Sequence, residues 1–111
     1  MPASPFPARA DAPVRTIMVI NPNTTTEMTE AVVQAAQRVA APGTVVVGGT
    51  PDSGVASVES NVDEVWGAIG VLQQVHAGEE AGVDAFVVAC FGDTGVPGAR
   101  ESASVPVVGM T

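Results

Sequence analysis

The chain has 111 residues, 46% of them hydrophobic and 14% charged, which suits one folded domain with a modest core rather than a disordered segment. Twelve acidic residues against four arginines and no lysine leave a formal charge of -8, which repels a phosphate backbone and excludes nucleic acid and anionic membranes as natural partners. No apolar run reaches the length of a membrane span, the first residues lack an apolar signal core, and a single cysteine cannot build a disulfide framework, so a cytoplasmic protein is expected.

Residues 1–15 hold four of the nine prolines and read as a flexible extension before a domain over 16–111. Ile17–Ile20 is a compact apolar run, a buried strand that Asn21-Pro22-Asn23 breaks. Thr24 and Glu27 have capping-box spacing for a first helix, along which Met28, Ala31, Val32, Ala35, Ala36, Val39 and Ala40 recur on one face until Pro42-Gly43 ends it. Thr44–Val47 is a second strand closed by Gly48-Gly49. Ser60 or Asn61 caps a second helix, with Val62, Val65, Trp66, Ile69, Leu72 and Val75 as its core-facing stripe and Gly82 just past its end. Phe86–Ala89 is the third strand, a short helix spans about Val96 to Ser102, and Val105–Val108 is a fourth strand whose proline marks an edge or a strand start.

The order β-α-β-α-β-α-β predicts an α/β fold: a single flavodoxin-like lobe with a four-stranded parallel sheet, order 2-1-3-4, flanked by helices. Ligands of such sheets bind outside the carboxyl ends of the strands at the point where strand order reverses, here between strands one and three. The Asn21–Thr24 turn and the Cys90–Asp93 turn therefore converge on one crevice. Where such a fold normally adds a helix, the sequence stops at Thr111, so a continuation is expected.

Cys90 stands at the end of an apolar run and before Gly92-Asp93-Thr94-Gly95. Its residue type fits an inert buried side chain and a nucleophile or base equally well; the glycines and a following helix N-terminus would favour an anionic sulfur. There is no Cys-x-x-Cys pair, Val96 stands where a phosphatase loop needs arginine, and one cysteine with one histidine cannot hold structural zinc, so no metal site is expected. His76 falls on the second helix at the end away from the crevice and reads as a surface or packing residue. Asn23 suits either a substrate amide contact or plain turn chemistry. Asp93 and Thr94 are explained as helix caps before any catalytic role, and Trp66 as core.

Ile20-Asn21-Pro22-Asn23-Thr24-Thr25 with Met28-Thr29, Thr50-Pro51 with Ala56–Ser60, Ala81–Asp84, Ala89-Cys90-Phe91-Gly92-Asp93 and Pro106–Gly109 together resemble the N-terminal lobe of the hydantoin and allantoin racemases, members of the aspartate/glutamate racemase superfamily. The resemblance runs from about Thr16 to Thr111. It implies two similar α/β lobes with the active site between them, no cofactor, and one cysteine from each lobe. One thiolate removes the proton at the stereocentre and the other thiol returns one to the opposite face. Cys90 matches the catalytic cysteine of the first lobe. Asn23 and Thr24, with Gly92, Asp93 and Thr94, match substrate-binding positions. A small hydantoin-like substrate is implied. Because only one cysteine is present, the resemblance also implies a missing second lobe or a homo-oligomer partner, and an isolated chain that does not racemise. The alternatives are other chemistry of the superfamily, maleate cis–trans isomerisation or arylmalonate decarboxylation, and a non-catalytic flavodoxin-like binding module.

Overall fold

The computed structural model describes residues 14–111, so the expected extension over 1–15 lies almost wholly outside the described residues. The elements are β1 (Arg15–Ile20), α1 (Thr26–Val39), β2 (Thr44–Gly49), α2 (Asn61–Ala81), β3 (Ala85–Val88), α3 (Val96–Ser102) and β4 (Val107–Val108). All three strand pairings are parallel, in the order β2-β1-β3-β4 that short apolar strands and right-handed crossovers predict. Ile20 lies opposite Gly49 on one side and Val88 on the other, and Ala89 N–H donates to the Ile20 carbonyl at 2.8 Å. The loops after β1 and β3 thus leave the sheet side by side.

The core is Ile20, Val71, Val75, Phe86, Val88 and Val96 with Met18, Val83, Ala99 and Val107, between the sheet and α2 with α3. Ser60 caps α2 by accepting from Asp63 N–H at 3.1 Å, and Gly82 closes it in the left-handed region (φ 78°), both as expected.

Of the face expected for α2, only Val75 is buried; the rest is turned outward. Its buried residues are Gly67, Gly70, Val71, Val75 and Gly78, while Val62, Val65, Trp66, Ile69 and Leu72 face outward and are exposed. The cause is close approach. A methyl group at Gly78 would run into the Phe86 ring and, at 2.8 Å, into Met18 Sδ; one at Gly70 would meet Pro51 Cγ at 2.8 Å. At Gly78 the helix lies against the sheet, and at Gly70 against the Pro51 loop, too closely for a larger side chain at those positions. Trp66, expected in the core, is 51% exposed.

Three smaller expectations are also corrected. The N-cap of α1 is Thr25, not Thr24, and no side chain caps it, because the Thr25 hydroxyl donates to the Ala56 carbonyl at 2.8 Å instead. β2 continues through Gly48 and Gly49, where Thr29 and Val33 of α1 press against the strand within 3 Å of any added Cβ at Gly48. On α1 the residues turned to the sheet are Thr29, Val32, Val33 and Ala36, while Met28, Ala35 and Val39 are exposed. Among the described residues α1 is the one helix on its face, and an apolar groove of about 440 Å³ lies between it and β3, with Val32, Ala36, Val87 and Met110 along it. Among the described residues no helix is long and apolar enough to cross a membrane.

Candidate functional site

The loop after β1 is built around Asn21. Its N–H donates to the Gly49 carbonyl at 3.1 Å, continuing the sheet by one bond. Its side-chain amide N–H group reaches Asn23 Oδ1 at 2.8 Å, the Thr25 carbonyl at 3.1 Å and Thr29 Oγ1 at 3.2 Å. Its Oδ1 accepts from Asn23 N–H at 3.3 Å. Asn23 Oδ1 also accepts from Thr25 N–H at 2.9 Å. Both asparagines are almost fully buried, at 3% and 5% exposure, and the network satisfies what burial would otherwise leave unpaired. The Asn23 acceptor oxygen is thereby committed to the protein. Its amide N–H group has the Met28 thioether, 3.6 Å away, as its one described partner and is left to donate to a ligand.

The turn after β3 carries Cys90. Cys90 N–H donates to the Val88 carbonyl and Asp93 N–H to the Cys90 carbonyl, both at 3.0 Å, so the chain doubles back directly after the strand. Cys90 is a half-buried free thiol whose Sγ lies 3.3 Å from the buried Thr94 hydroxyl. α3 begins only at Val96, with Gly95 (φ 76°) as its N-cap and no side-chain cap bond. Asp93 and Thr94 are therefore not the helix caps that sequence reasoning assigns. The group beside the sulfur is a hydroxyl rather than the first turn of a helix. A hydroxyl accepts from a thiol and donates to a thiolate, so Thr94 can serve Cys90 in either protonation state.

Asp93 has a different task. It adopts φ 51°, an uncommon conformation for a residue with a side chain. Its carboxylate accepts from the N–H groups of Met110 at 3.0 Å and Thr111 at 3.4 Å and from the Thr111 hydroxyl. The Thr111 hydroxyl holds its carboxyl below the usual carboxylate range against the opposing effect of desolvation, with lesser help from the Met110 and Thr111 N–H groups and the Arg100 charge. Gly109 has no room for a Cβ because this carboxylate occupies the space. Asp93 thus ties the Cys90 turn to the segment after β4.

Between the two loops lies a cavity of about 340 Å³. Asn23 and Cys90 line it, as the sequence predicts, together with Asn21, Met28, Ser57, Val58, Phe91 and Met110. Of the other sequence-predicted positions, Thr94 stands behind the sulfur, Asp93 is engaged with residues 110–111, and Gly92 is exposed on the turn. Thr24 donates its N–H to the Val55 carbonyl at 2.9 Å and does not line the cavity. Sequence reasoning missed Val58 and Met110. Val58 arrives because Thr24 and Thr25 anchor the 55–56 loop, and Met110 because Asp93 holds its N–H. Neither contact has a local sequence signal. Among the described residues none that lines it is charged. A larger hollow of about 570 Å³ beside the start of α2 shares only Val58 with this cavity and presents Glu59 and Glu64 but no thiol. Among the described residues no cluster of three or more His, Cys, Asp or Glu side chains is placed to hold a metal ion.

The family model described as Asp/Glu/Hydantoin racemase matches residues 17–111. The chain is 49% identical over 94 residues to a hydantoin racemase from Pseudomonas sp. (strain NS671), covering 85% of this chain and 38% of that protein. It is 41% identical over 95 residues to one from Paenarthrobacter aurescens, covering 85% of this chain and 40% of that protein. Its fold matches the allantoin racemase from Klebsiella pneumoniae with a TM-score of 0.84 at 52% identity, covering 86% of this chain and 39% of that one. The chain therefore spans about 40% of the length of these relatives.

Proposed function

The chain belongs to the Asp/Glu/hydantoin racemase family, and from that premise we propose that it is the first lobe of a two-cysteine racemase acting on 5-substituted hydantoins or related cyclic ureides. The observation that carries this reading is the pairing of a free thiol with a donor-only amide across a cavity that no charged side chain lines. Cys90 as thiolate takes the proton at ring carbon 5. The C–H bond breaks, an S–H bond forms, and the electron pair moves onto the neighbouring carbonyl as an enolate. The Asn23 amide donates to the oxygen on which that charge develops. Thr94 holds the sulfur in place through both protonation states. The second proton comes to the opposite face from a thiol that this chain does not contain, supplied by a further lobe or by another copy; no cofactor takes part. A neutral ring enters this half of the pocket at less desolvation cost than a dicarboxylate would without a cation to meet it, which favours ureides over maleate.

The test uses the 111-residue chain with separate enantiomers of 5-benzylhydantoin in deuterated water. The expected result is proton exchange at carbon 5 of one enantiomer, lost in Cys90→Ser, with optical rotation decaying only at the uncatalysed rate. Titration should shift the NMR signals of the Asn23 side-chain amide and of the turn from Phe91 to Thr94. If no exchange depends on Cys90 and the Asn23 amide stays unmoved, the catalytic reading is wrong and a binding module remains.

A further inference from the structure

We propose that Met28 is a modification site that closes the pocket: hydrogen peroxide converts its thioether to a sulfoxide, whose oxygen takes the Asn23 amide hydrogen bond otherwise left for a ligand. The role of that amide toward substrate rests on the racemase reading; its capture by the oxidised side chain does not. Met28 stands in the first turn of α1, where its N–H donates to the Thr25 carbonyl at 3.2 Å. A helical side chain leans back toward the N-terminus of its helix, and here that direction leads to the loop after β1. Met28 Sδ accordingly lies 3.6 Å from Asn23 Nδ2. Asn23 does not turn to another acceptor, because its Oδ1 is bound by the Asn21 amide at 2.8 Å and by Thr25 N–H at 2.9 Å. The planar amide therefore keeps its N–H group toward the sulfur. A thioether is a weak acceptor, so a substrate carbonyl displaces it at little cost.

Oxidation reverses that balance. A sulfur lone pair attacks one peroxide oxygen, the O–O bond breaks as the S–O bond forms, and the departing hydroxide takes the proton of the transferred oxygen and leaves as water. The sulfur gives up two electrons and the peroxide gains them. The product is a polar side chain where an apolar one stood. Its oxygen is one bond from the sulfur, so it comes within reach of the same N–H without movement of the helix, and it accepts far better than the thioether. Among the described residues three methionines are present, and Met28 alone combines access with this contact. It is 51% exposed, whereas Met18 is buried at 7%. Met110 lines the same cavity at 47% exposure, but its described bond runs from its N–H to Asp93 at 3.0 Å. Oxidation of Cys90 would remove the base. Oxidation of Met28 leaves the thiol in place and removes the donor opposite it.

The chain carrying Cys90→Ser, which has no thiol to compete for oxidant, is treated with hydrogen peroxide. Peptide mapping by mass spectrometry follows oxygen uptake at each methionine, NMR follows the Asn23 side-chain amide, and 5-benzylhydantoin is titrated before and after treatment. The expected result is uptake at Met28 well ahead of Met18, with a downfield shift of the Asn23 amide protons in step with it. Binding of 5-benzylhydantoin should weaken by roughly tenfold, and methionine sulfoxide reductases of both stereochemical classes should restore it. With Met28→Leu added, peroxide should leave the Asn23 signals unmoved, whereas with Met110→Leu added they should still shift. An Asn23 amide that stays unmoved while Met28 is oxidised overturns the proposal, as does a Met28 no more reactive than Met18. An Asn23 amide that shifts on oxidation in a chain that never binds 5-benzylhydantoin upholds the sulfoxide contact and counts against the ureide reading instead.

Discussion

The two loops that face each other across the cavity are held in opposite ways. The loop after β1 is secured largely from within: the Asn21 side chain binds four groups within eight residues of itself, all buried or half-buried, and Asn21, Thr24 and Thr25 add bonds to Gly49, Val55 and Ala56. The turn after β3 is secured from outside, by an Asp93 carboxylate that reaches 17 and 18 residues along the chain to an exposed segment. Phe91 at its tip is 78% exposed. The Asn23 amide therefore sits on a densely hydrogen-bonded support, while the thiol sits on a turn whose position depends on the residues after β4. That division suits a proton transfer in which the oxygen must be met at a fixed point and the sulfur must gain and lose a proton.

Four experiments probe this contrast. The largest effect is expected at the sulfur itself. Cys90→Ser should lower the exchange rate at carbon 5 by on the order of a hundredfold or more, the scale of a lost general base, with the thermal midpoint little changed. Next comes the loop after β1. Asn21→Ala removes the hub of a buried network and should cost about 2–3 kcal/mol of stability in urea unfolding, because Asn23 and Thr29 lose partners that water cannot easily replace. If that loss is under about 0.5 kcal/mol, the loop is not held as described.

Thr94→Val keeps shape and removes the hydroxyl beside the sulfur. It should slow alkylation of Cys90 and cost about 1 kcal/mol or less in stability. An unchanged alkylation rate would separate Thr94 from the thiol's chemistry. The smallest effect at neutral pH is at Asp93. Its carboxyl is held below its ordinary range in the folded protein, so its contribution is present above the unfolded value of about 4 and is lost as pH falls through the lower folded value. Asp93→Asn should therefore be less stable than the unaltered chain at pH 7, and the gap should close on acidification below about pH 4. A gap that persists into acid would mean the carboxylate charge is not what ties residues 110 and 111 to the turn.

Much of this was readable before any coordinates. Short apolar runs alternating with helical periodicity specify parallel strands, handed crossovers specify their order, and that order alone sets Asn23 and Cys90 side by side. Each of these steps rests on local pattern and backbone geometry, which the sequence by itself determines. The burial of α2 did not follow, because the side that packs was decided by how closely the helix can approach the sheet. Glycine at 78 allows that approach, and glycine at 67 and 70 lets the loops carrying Pro22, Pro51 and Val58 close on the helix, whereas hydrophobicity points to the opposite side. The work of Asp93 and the arrival of Val58 and Met110 in the cavity were likewise decided by tertiary structure. They arise from contacts between segments far apart in the chain, and such contacts leave no periodicity or spacing to read.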